Sequence, residues 1–278
     1  MIEFKQGEGY RMHLKTEYFE DLWLSDNQKK EPTAEFWDFR AEEYNLSSST
    51  EDAQLNRKDK VQALIDKGII TSETTVLDIG CGPGQFAVEL AKKVKKVVGL
   101  DFSENMVRFA RENAAAAGLQ NTEFINSDWD GFQCQESFDL VIASMSPAIC
   151  KPDHLYKMIG SSRGFCYLSS FVERHSCLKE TLYTLTDQHY IRQFNKLNYI
   201  FNILWTKGIF PELTYETGLH KRVFPLEKAK GIYSRELAVL DNPDQLARVH
   251  QYLEKVAENG VVTEALQQRK GELIWEIV

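Results

Sequence analysis

Long hydrophobic runs are missing from this sequence. No stretch approaches the roughly 18 uninterrupted apolar residues that a membrane-spanning helix needs. The first residues, MIEFKQGEGYRMHLK, also lack the apolar core of a secretion signal. We therefore predict a cytoplasmic protein without a membrane partner.

Cysteine is scarce and irregularly spaced. The five cysteines include no CxxC pair. The sequence therefore predicts neither a disulfide framework nor a thiolate metal site, and no metal ion is expected.

An excess of positive charge is absent too, because the net charge is −8. Broad nucleic-acid binding relies on Lys and Arg that neutralise phosphates, so this charge disfavours nucleic acid as a partner. The charge is uneven, however: residues 145–235 carry 13 basic and 7 acidic side chains. Such a segment favours an anionic acceptor, although scattered solvated side chains fit the same count. Nothing in the sequence indicates an oligomeric state.

The hydrophobic pattern indicates an α/β fold. Hydrophobic residues make up 43% of the 278 residues and charged residues 27%, which is typical of a folded protein. From residue 74, short apolar runs alternate with helical segments, as in βαβ units around a parallel sheet. Helices are predicted within 15–45, a loop at 46–52 and a last strand at 271–278. We predict a single domain over 1–278, comprising N-terminal helices and a lid (1–70), a core (71–173), and cap elements, last helices and C-terminal strands (174–278).

A glycine cluster follows the first predicted strand, in VLDIGCGPGQ at residues 76–85. Glycine permits positive φ and lets a ligand lie against the backbone, and the carboxyl edge of such a strand is where doubly wound sheets bind nucleotides. A dinucleotide fingerprint would need glycine at position 85, which is Gln85, and no phosphate-binding P-loop motif occurs. The cluster favours a nucleoside without phosphates, although a turn built only for packing also fits.

Four motifs resemble those of class I methyltransferases that use S-adenosylmethionine (SAM). VLDIGCGPGQFAVELA is similar to their first motif, KVVGLDFSENMV to the second, NSDWD to the third and SFDLVIAS to the fourth. The resemblance implies a doubly wound, mostly parallel seven-stranded sheet, the Rossmann-like methyltransferase fold, with N-terminal lid helices and a helical cap insertion. It also implies SAM as the cofactor and methyl transfer as the activity.

The resemblance implies roles for individual residues as well. Asp101 would accept hydrogen bonds from the ribose hydroxyls, with a helix-capping role as the alternative. Asp78 would hold the loop and the methionine amino group, and Asp128 would contact the adenine amino group. The residues implied at the cofactor are Arg40, Tyr44, Asp78, Gly80, Cys81, Gly82, Asp101, Phe102, Met106, Asp128, Trp129 and Ser144.

FWDFRAEEYN, residues 36–45, resembles a lid helix that many small-molecule members carry ahead of the first strand. This likeness implies that Arg40 meets the cofactor carboxylate and that Tyr44 closes over it. A helix that only packs on the body fits the same residues. Trp129 likewise fits either the adenine face or plain core.

The methyl acceptor is harder to predict. Where enzymes that methylate planar nitrogens carry Asp-Pro-Pro-Tyr, this chain reads Ser-Met-Ser-Pro at 144–147. A small-molecule acceptor and in-line displacement are therefore favoured. No catalytic residue is assigned, because each histidine also fits a surface or packing position. A catalytically silent SAM-binding regulator and, less favoured, a NAD-dependent oxidoreductase are the alternatives. The histidines available as bases are His154, His175, His189 and His220.

Overall fold

A computed structural model of the chain describes residues 15–26 and 33–277. Its strands are β1 (Thr75–Ile79), β2 (Lys96–Asp101), β3 (Thr122–Asn126), β4 (Phe138–Ser144), β5 (Ser162–His175), β6 (Glu212–Pro225) and β7 (Val261–Glu276). They form one seven-stranded sheet in the order β3-β2-β1-β4-β5-β7-β6. All neighbours are parallel except β7, which runs antiparallel to both β5 and β6. The predicted doubly wound, mostly parallel sheet is confirmed.

Helices cover both faces of this sheet. They are α1 (Thr16–Asp26), α2 (Ala34–Ser48), α3 (Glu51–Asp66), α4 (Gln85–Ala91), α5 (Glu104–Ala116), α6 (Pro152–Gly160), α7 (Cys177–Leu185), α8 (Lys196–Thr206), α9 (Leu226–Glu236) and α10 (Pro243–Val256). Because strand side chains alternate between faces, Leu77 and Ile79 pack with α1, α6 and α8, whereas Val76 packs with α3, α4 and α5. None of the helices described is long and apolar enough to cross a membrane.

A third apolar cluster lies outside this sandwich, on the long strands. It joins Phe224 of β6 and Val262 of β7 to Leu182 of α7, Tyr233 of α9 and Val249 of α10. We call α7, α9, α10 and the strand ends beneath them the cap. The cap therefore has a core of its own, next to the carboxyl end of β5.

Two sequence predictions about element ends are wrong. The polar run at 46–52 is mostly helical, because α2 continues to Ser48 and α3 begins at Glu51. The hydroxyls of Ser47, Ser48 and Ser49 donate to carbonyl oxygens of the preceding turn. The last strand begins at Val261, ten residues before the predicted 271. Its additional half alternates buried with exposed side chains against the cap and β6, and these partners are distant in sequence.

Candidate functional site

The backbone amides of the turn between β1 and α4 are engaged in hydrogen bonds to the end of β2. The Gly80 and Cys81 amides donate to the Leu100 carbonyl at 2.8 and 2.9 Å. The Gly82 amide donates to Asp101 Oδ2 at 2.9 Å. A phosphate cradle needs amides that point at the ligand. With these three amides occupied, the geometry agrees with a nucleoside that lacks phosphates.

Two glycines of this turn cannot be replaced without a clash. Gly80 has φ +69°, and a Cβ there would lie 2.0 Å from Ser146 Oγ. Gly84 has φ +73°, and a Cβ there would lie 2.8 Å from Ala110 Cβ on α5. Gly84 thus allows α5 to approach the start of α4 closely, whereas the last glycine of a dinucleotide fingerprint allows a helix to pack closely on a strand.

A cavity opens above this turn, at the carboxyl ends of β1, β2 and β4. We call it the cofactor cavity. The loops after β3 and β4 close its sides, and α2 covers it. Its lining residues are Trp37, Tyr44, Gly80, Cys81, Gly82, Leu100, Asp101, Phe102, Met106, Ser127, Asp128, Trp129, Asp130, Ser144, Met145, Ser146, Pro147, Ala148, Cys150 and His154.

Two aromatic side chains of α2 form the cover. The rings of Trp37 and Tyr44 meet edge to face, with centroids 5.9 Å apart. Trp37 Nε1 is shielded from solvent and has no hydrogen-bond partner among the residues described. Buried indole N–H groups usually find an acceptor, so a ligand with an oxygen or nitrogen acceptor would complete this wall.

Polar side chains fasten α2 to the core. Asp38 Oδ1 accepts from Ser103 Oγ at 2.6 Å and from the Asn105 amide at 3.1 Å. These donors lie at the N-terminus of α5, where the helix dipole favours a carboxylate. Gln85 Nε2 donates to Asn45 Oδ1 at 3.3 Å and to a serine of α2's C-terminal end. The residue that departs from the dinucleotide fingerprint therefore holds the cover.

The cofactor cavity is acidic. Asp101, Asp128 and Asp130 line it, and no lysine or arginine does so within the described part of the chain, although Lys151 Nζ pairs with Asp130 Oδ1 at 3.1 Å. Asp101 Oδ1 accepts from the Ser103 amide at 2.9 Å, so backbone donors hold both carboxylate oxygens. Burial raises the pKa of Asp101 above its usual range. The cavity therefore favours a ligand that carries positive charge.

Asp78 adds to this negative charge from beneath the turn. Its side chain is buried. Burial, together with the neighbouring Asp101, raises the pKa of Asp78 to about 7. A cationic ligand nearby would favour the ionised form and lower this pKa.

Comparison with known proteins supports this interpretation of the site. Residues 70–217, more than half of the chain, match the family model described as a methyltransferase domain. The chain belongs to this family. Its resemblance to class I SAM-dependent methyltransferases is thereby confirmed, and SAM is the cofactor. The sulfonium and ammonium groups of SAM match the acidic lining.

Individual relatives cover only parts of the methyltransferase. An uncharacterized protein of Haemophilus influenzae is 30% identical over 156 residues, 55% of this chain and 58% of that protein. A 23S rRNA (uracil(1939)-C(5))-methyltransferase of Alcanivorax borkumensis is 42% identical over 78 residues, 28% of this chain and 17% of that protein. The chain thus spans less than two thirds of these relatives.

Solved methyltransferase structures show similarity at low identity. Magnesium protoporphyrin IX methyltransferase from Synechocystis, solved with bound S-adenosylhomocysteine (SAH), is 21% identical, with a TM-score of 0.45 and coverage of 73% of this chain and 90% of that one. A SAM-dependent methyltransferase from Thiobacillus denitrificans, in complex with SAH, is 14% identical, with a TM-score of 0.43 and coverage of 77% and 90%.

Most residues that the sequence implied at the cofactor lie together in this methyltransferase. Two do not line the cavity. Arg40 is buried on α2, and its Nη2 lies 2.7 Å from Glu43 Oε2. Asp78 lies below the turn, and the contacts predicted for both side chains stay predictions. The implied residues that line the cavity are Tyr44, Gly80, Cys81, Gly82, Asp101, Phe102, Met106, Asp128, Trp129 and Ser144.

Trp129 fits both of the interpretations that the sequence left open. It is 2% exposed, and its Nε1 donates to the His154 carbonyl at 3.2 Å, as for a core residue. The same side chain also lines the cofactor cavity.

Sequence reasoning missed a chain of hydrogen bonds along the cavity wall. His154 Nε2 lies 2.9 Å from Asp130 Oδ1, and His154 Nδ1 lies 3.4 Å from Cys150 Sγ. His154 is the one of the four candidate histidines that lines the cavity. The four-residue spacing of Cys150 and His154 at the start of α6 was the available signal, but Asp130 comes from the loop after β3.

Proposed function

We propose that this protein transfers the methyl group of SAM to a small-molecule acceptor. The observation that carries the proposal is the covered, acidic cavity at the carboxyl ends of β1, β2 and β4, whose turn has no free amide for a phosphate at residues 80–82. We also propose that the whole chain acts as one methyltransferase domain, with the cap on the acceptor side.

In this proposal different residues of the cavity contact the ribose, the adenine and the methionine end of the cofactor. Asp101 accepts hydrogen bonds from the ribose hydroxyls while backbone amides keep its carboxylate in place. Asp128 and Trp129 would contact the adenine, and Phe102 and Met106 would also line it. Asp78 offsets the positive charge of the methionine end.

The methyl group leaves along the wall formed by residues 144–148. SAM supplies an activated methyl group on a sulfonium. When bound, SAM would supply this methyl group to a lone pair of the acceptor, and the electron pair of the carbon–sulfur bond would stay on sulfur. The protein aligns the reactants, which contributes on the order of 7 to 11 kcal/mol in well-oriented systems. Met145, with φ 54° and its amide bonded to Ser169, keeps this wall in place.

Two observations favour a small molecule over RNA. The net charge of −8 opposes binding to a polyanion. The match to the rRNA methyltransferase of Alcanivorax covers 17% of that protein, so its RNA substrate is no guide to this chain.

Calorimetric titration of the full chain with SAM, SAH and NAD tests the cofactor. We expect SAM and SAH to bind and NAD to bind far more weakly, and tighter binding of NAD would contradict the proposal. Transfer of a labelled methyl group to fractionated cell extract then tests the acceptor. We expect label in the low-molecular-mass fraction; label confined to RNA, or no label in any fraction, would overturn a small-molecule activity.

A further inference from the structure

A second cavity of about 350 Å³ lies beside the cofactor cavity. It is bounded by α1, the end of β5, α7, the start of α8 and the end of α9. Its walls are aromatic, with Trp23, Tyr183, Tyr190, Phe194 and Tyr199 among them. This composition suits a planar or aromatic ligand.

Arg174 is the unusual residue of this cavity. Its Nε and Nη2 are shielded from solvent and have no hydrogen-bond partner among the residues described. The guanidinium carbon lies 4.3 Å from the centroid of the Phe171 ring, which fixes one face of the group. Burial lowers the pKa of Arg174 below its usual range. An arginine in this state lacks the planar, two-oxygen acceptor that its fork recognises.

The other charges of the cavity are engaged with the protein. Lys179 forms an ion pair with Glu236. Asp26 accepts from Tyr199 Oη at 3.0 Å and from an asparagine side chain. Lys196 Nζ donates to the Ser146 carbonyl at 3.0 Å. Among the described residues 15–26 and 33–277, three cations and two carboxylates line the cavity, which leaves one positive charge in excess in that set.

The second cavity also shares a wall with the cofactor cavity. Ser146 lines the cofactor cavity and Lys196 lines the second one, so their hydrogen bond forms part of the partition. A molecule anchored at Arg174 would extend toward the residues that we assign to the methyl group. The partition there includes the Lys196 side chain, whose hydrogen bond to the Ser146 carbonyl would have to break for such a molecule to reach the cofactor cavity.

We propose that the second cavity is the acceptor site and that the acceptor is a small aromatic acid whose single carboxylate pairs with Arg174. This inference rests on the proposed methyl transfer and adds the class of substrate. A monocarboxylate matches the one excess positive charge, whereas a phosphate monoester would bring a second negative charge into a buried site.

The test uses a matched pair of probes, para-hydroxyphenylacetate and its neutral amide. Their binding to the full chain saturated with SAH is followed by ligand-observed NMR. We expect the acid to bind and the amide to bind at least tenfold more weakly. Equal binding of the two, failure of both to bind, or tighter binding of phenyl phosphate would overturn the inference.

Variants locate the binding site. Arg174→Met should weaken binding of the acid by about tenfold to a hundredfold, and Arg174→Lys should retain part of the affinity. Arg248→Met removes an exposed arginine of α10 and should change nothing. Acid binding that is unchanged in Arg174→Met would contradict the inference.

A calorimetric titration with SAH precedes each experiment, and it separates the two proposals. If the unmodified protein does not bind SAH, the result would count against methyl transfer itself. Normal SAH binding without discrimination between acid and amide would count against the acceptor class alone.

Discussion

The two neighbouring cavities carry opposite charge. Three aspartates and no lysine or arginine line the cofactor cavity within the described chain, whereas three cations and two carboxylates line the second cavity. Backbone amides hold Asp101 in the first, but Arg174 in the second has two nitrogens without partners among the residues described. In the cofactor site, backbone amides of the protein thus hold the Asp101 carboxylate in place before a ligand binds. In the second site, the described residues offer these two nitrogens no hydrogen-bond acceptor, which a ligand from outside can supply.

The largest effect is expected when an ion pair of the second, positively charged cavity is broken. Glu236→Gln leaves the buried Lys179 ammonium without its partner, and breaking a buried pair costs about 3 to 5 kcal/mol. Urea unfolding of the variant should show a loss of that size. The control Glu227→Gln removes an exposed carboxylate paired with Lys230 and should cost less than about 0.5 kcal/mol. Equal losses in the two variants would show that the cap does not depend on this pair.

Asp101→Asn removes one negative charge from the cofactor cavity. The variant loses a charge that faces a cationic ligand and one oxygen that accepts a backbone bond. Hydrogen bonds to charged groups contribute about 1.5 to 3 kcal/mol each, so SAM affinity should fall by about a hundredfold in calorimetry. Glu104→Gln, at the start of α5, is the control and should bind normally. Unchanged affinity of Asp101→Asn would remove Asp101 from the site.

Gly80→Ala tests whether the cofactor turn is rigid. The new Cβ would lie 2.0 Å from Ser146 Oγ at a φ of +69°, and strain and overpacking together should cost roughly 2 to 3 kcal/mol of stability. Gly118→Ala is a matched control, because Gly118 has φ +70° and open space around its Cβ. It should show only the backbone strain of about 1 kcal/mol. Equal losses would mean that rotation of the Ser146 hydroxyl or a small shift of the turn relieves the contact.

The pH dependence of SAM binding sharpens the comparison further. The pKa of Asp78 is raised to about 7 from 3.8, so the ligand-free protein holds a proton that the cationic ligand displaces. Affinity should therefore fall by about tenfold between about pH 8 and pH 6. Asp78→Asn should bind SAM more weakly at high pH and lose this dependence.

The same group affects stability in the opposite direction. Because the folded pKa of Asp78 is above the unfolded one, its stabilising proton is fully present below the unfolded value and is lost as pH rises through about 7. Asp78→Asn, which stays neutral, should melt at a higher temperature than the unmodified protein near pH 8 by calorimetry, with little difference near pH 4. A lower melting temperature of the variant at the higher pH would contradict the assignment.

Local pattern was sufficient for the core of the fold. The strands β1 to β5 and the glycine turn were predictable because their apolar runs, turn glycines and helix starts lie within a few residues of one another. The acids that end β1 and β2 could be placed for the same reason. Parallel strands bring their carboxyl ends to one edge, so Asp78 and Asp101 had to lie near the turn.

The sequence by itself therefore determined the sheet and, through its resemblance to class I methyltransferases, the cofactor. Tertiary structure alone decided that Asp38 and Gln85 hold the cover, that Arg40 turns to Glu43, and that Asp130, His154 and Cys150 form one chain. It also brought Arg174, Lys179 and Lys196 to one cavity, from the end of β5 and the starts of α7 and α8. Each of these contacts joins side chains whose meeting depends on how helices and strands pack, and no local spacing encodes that packing.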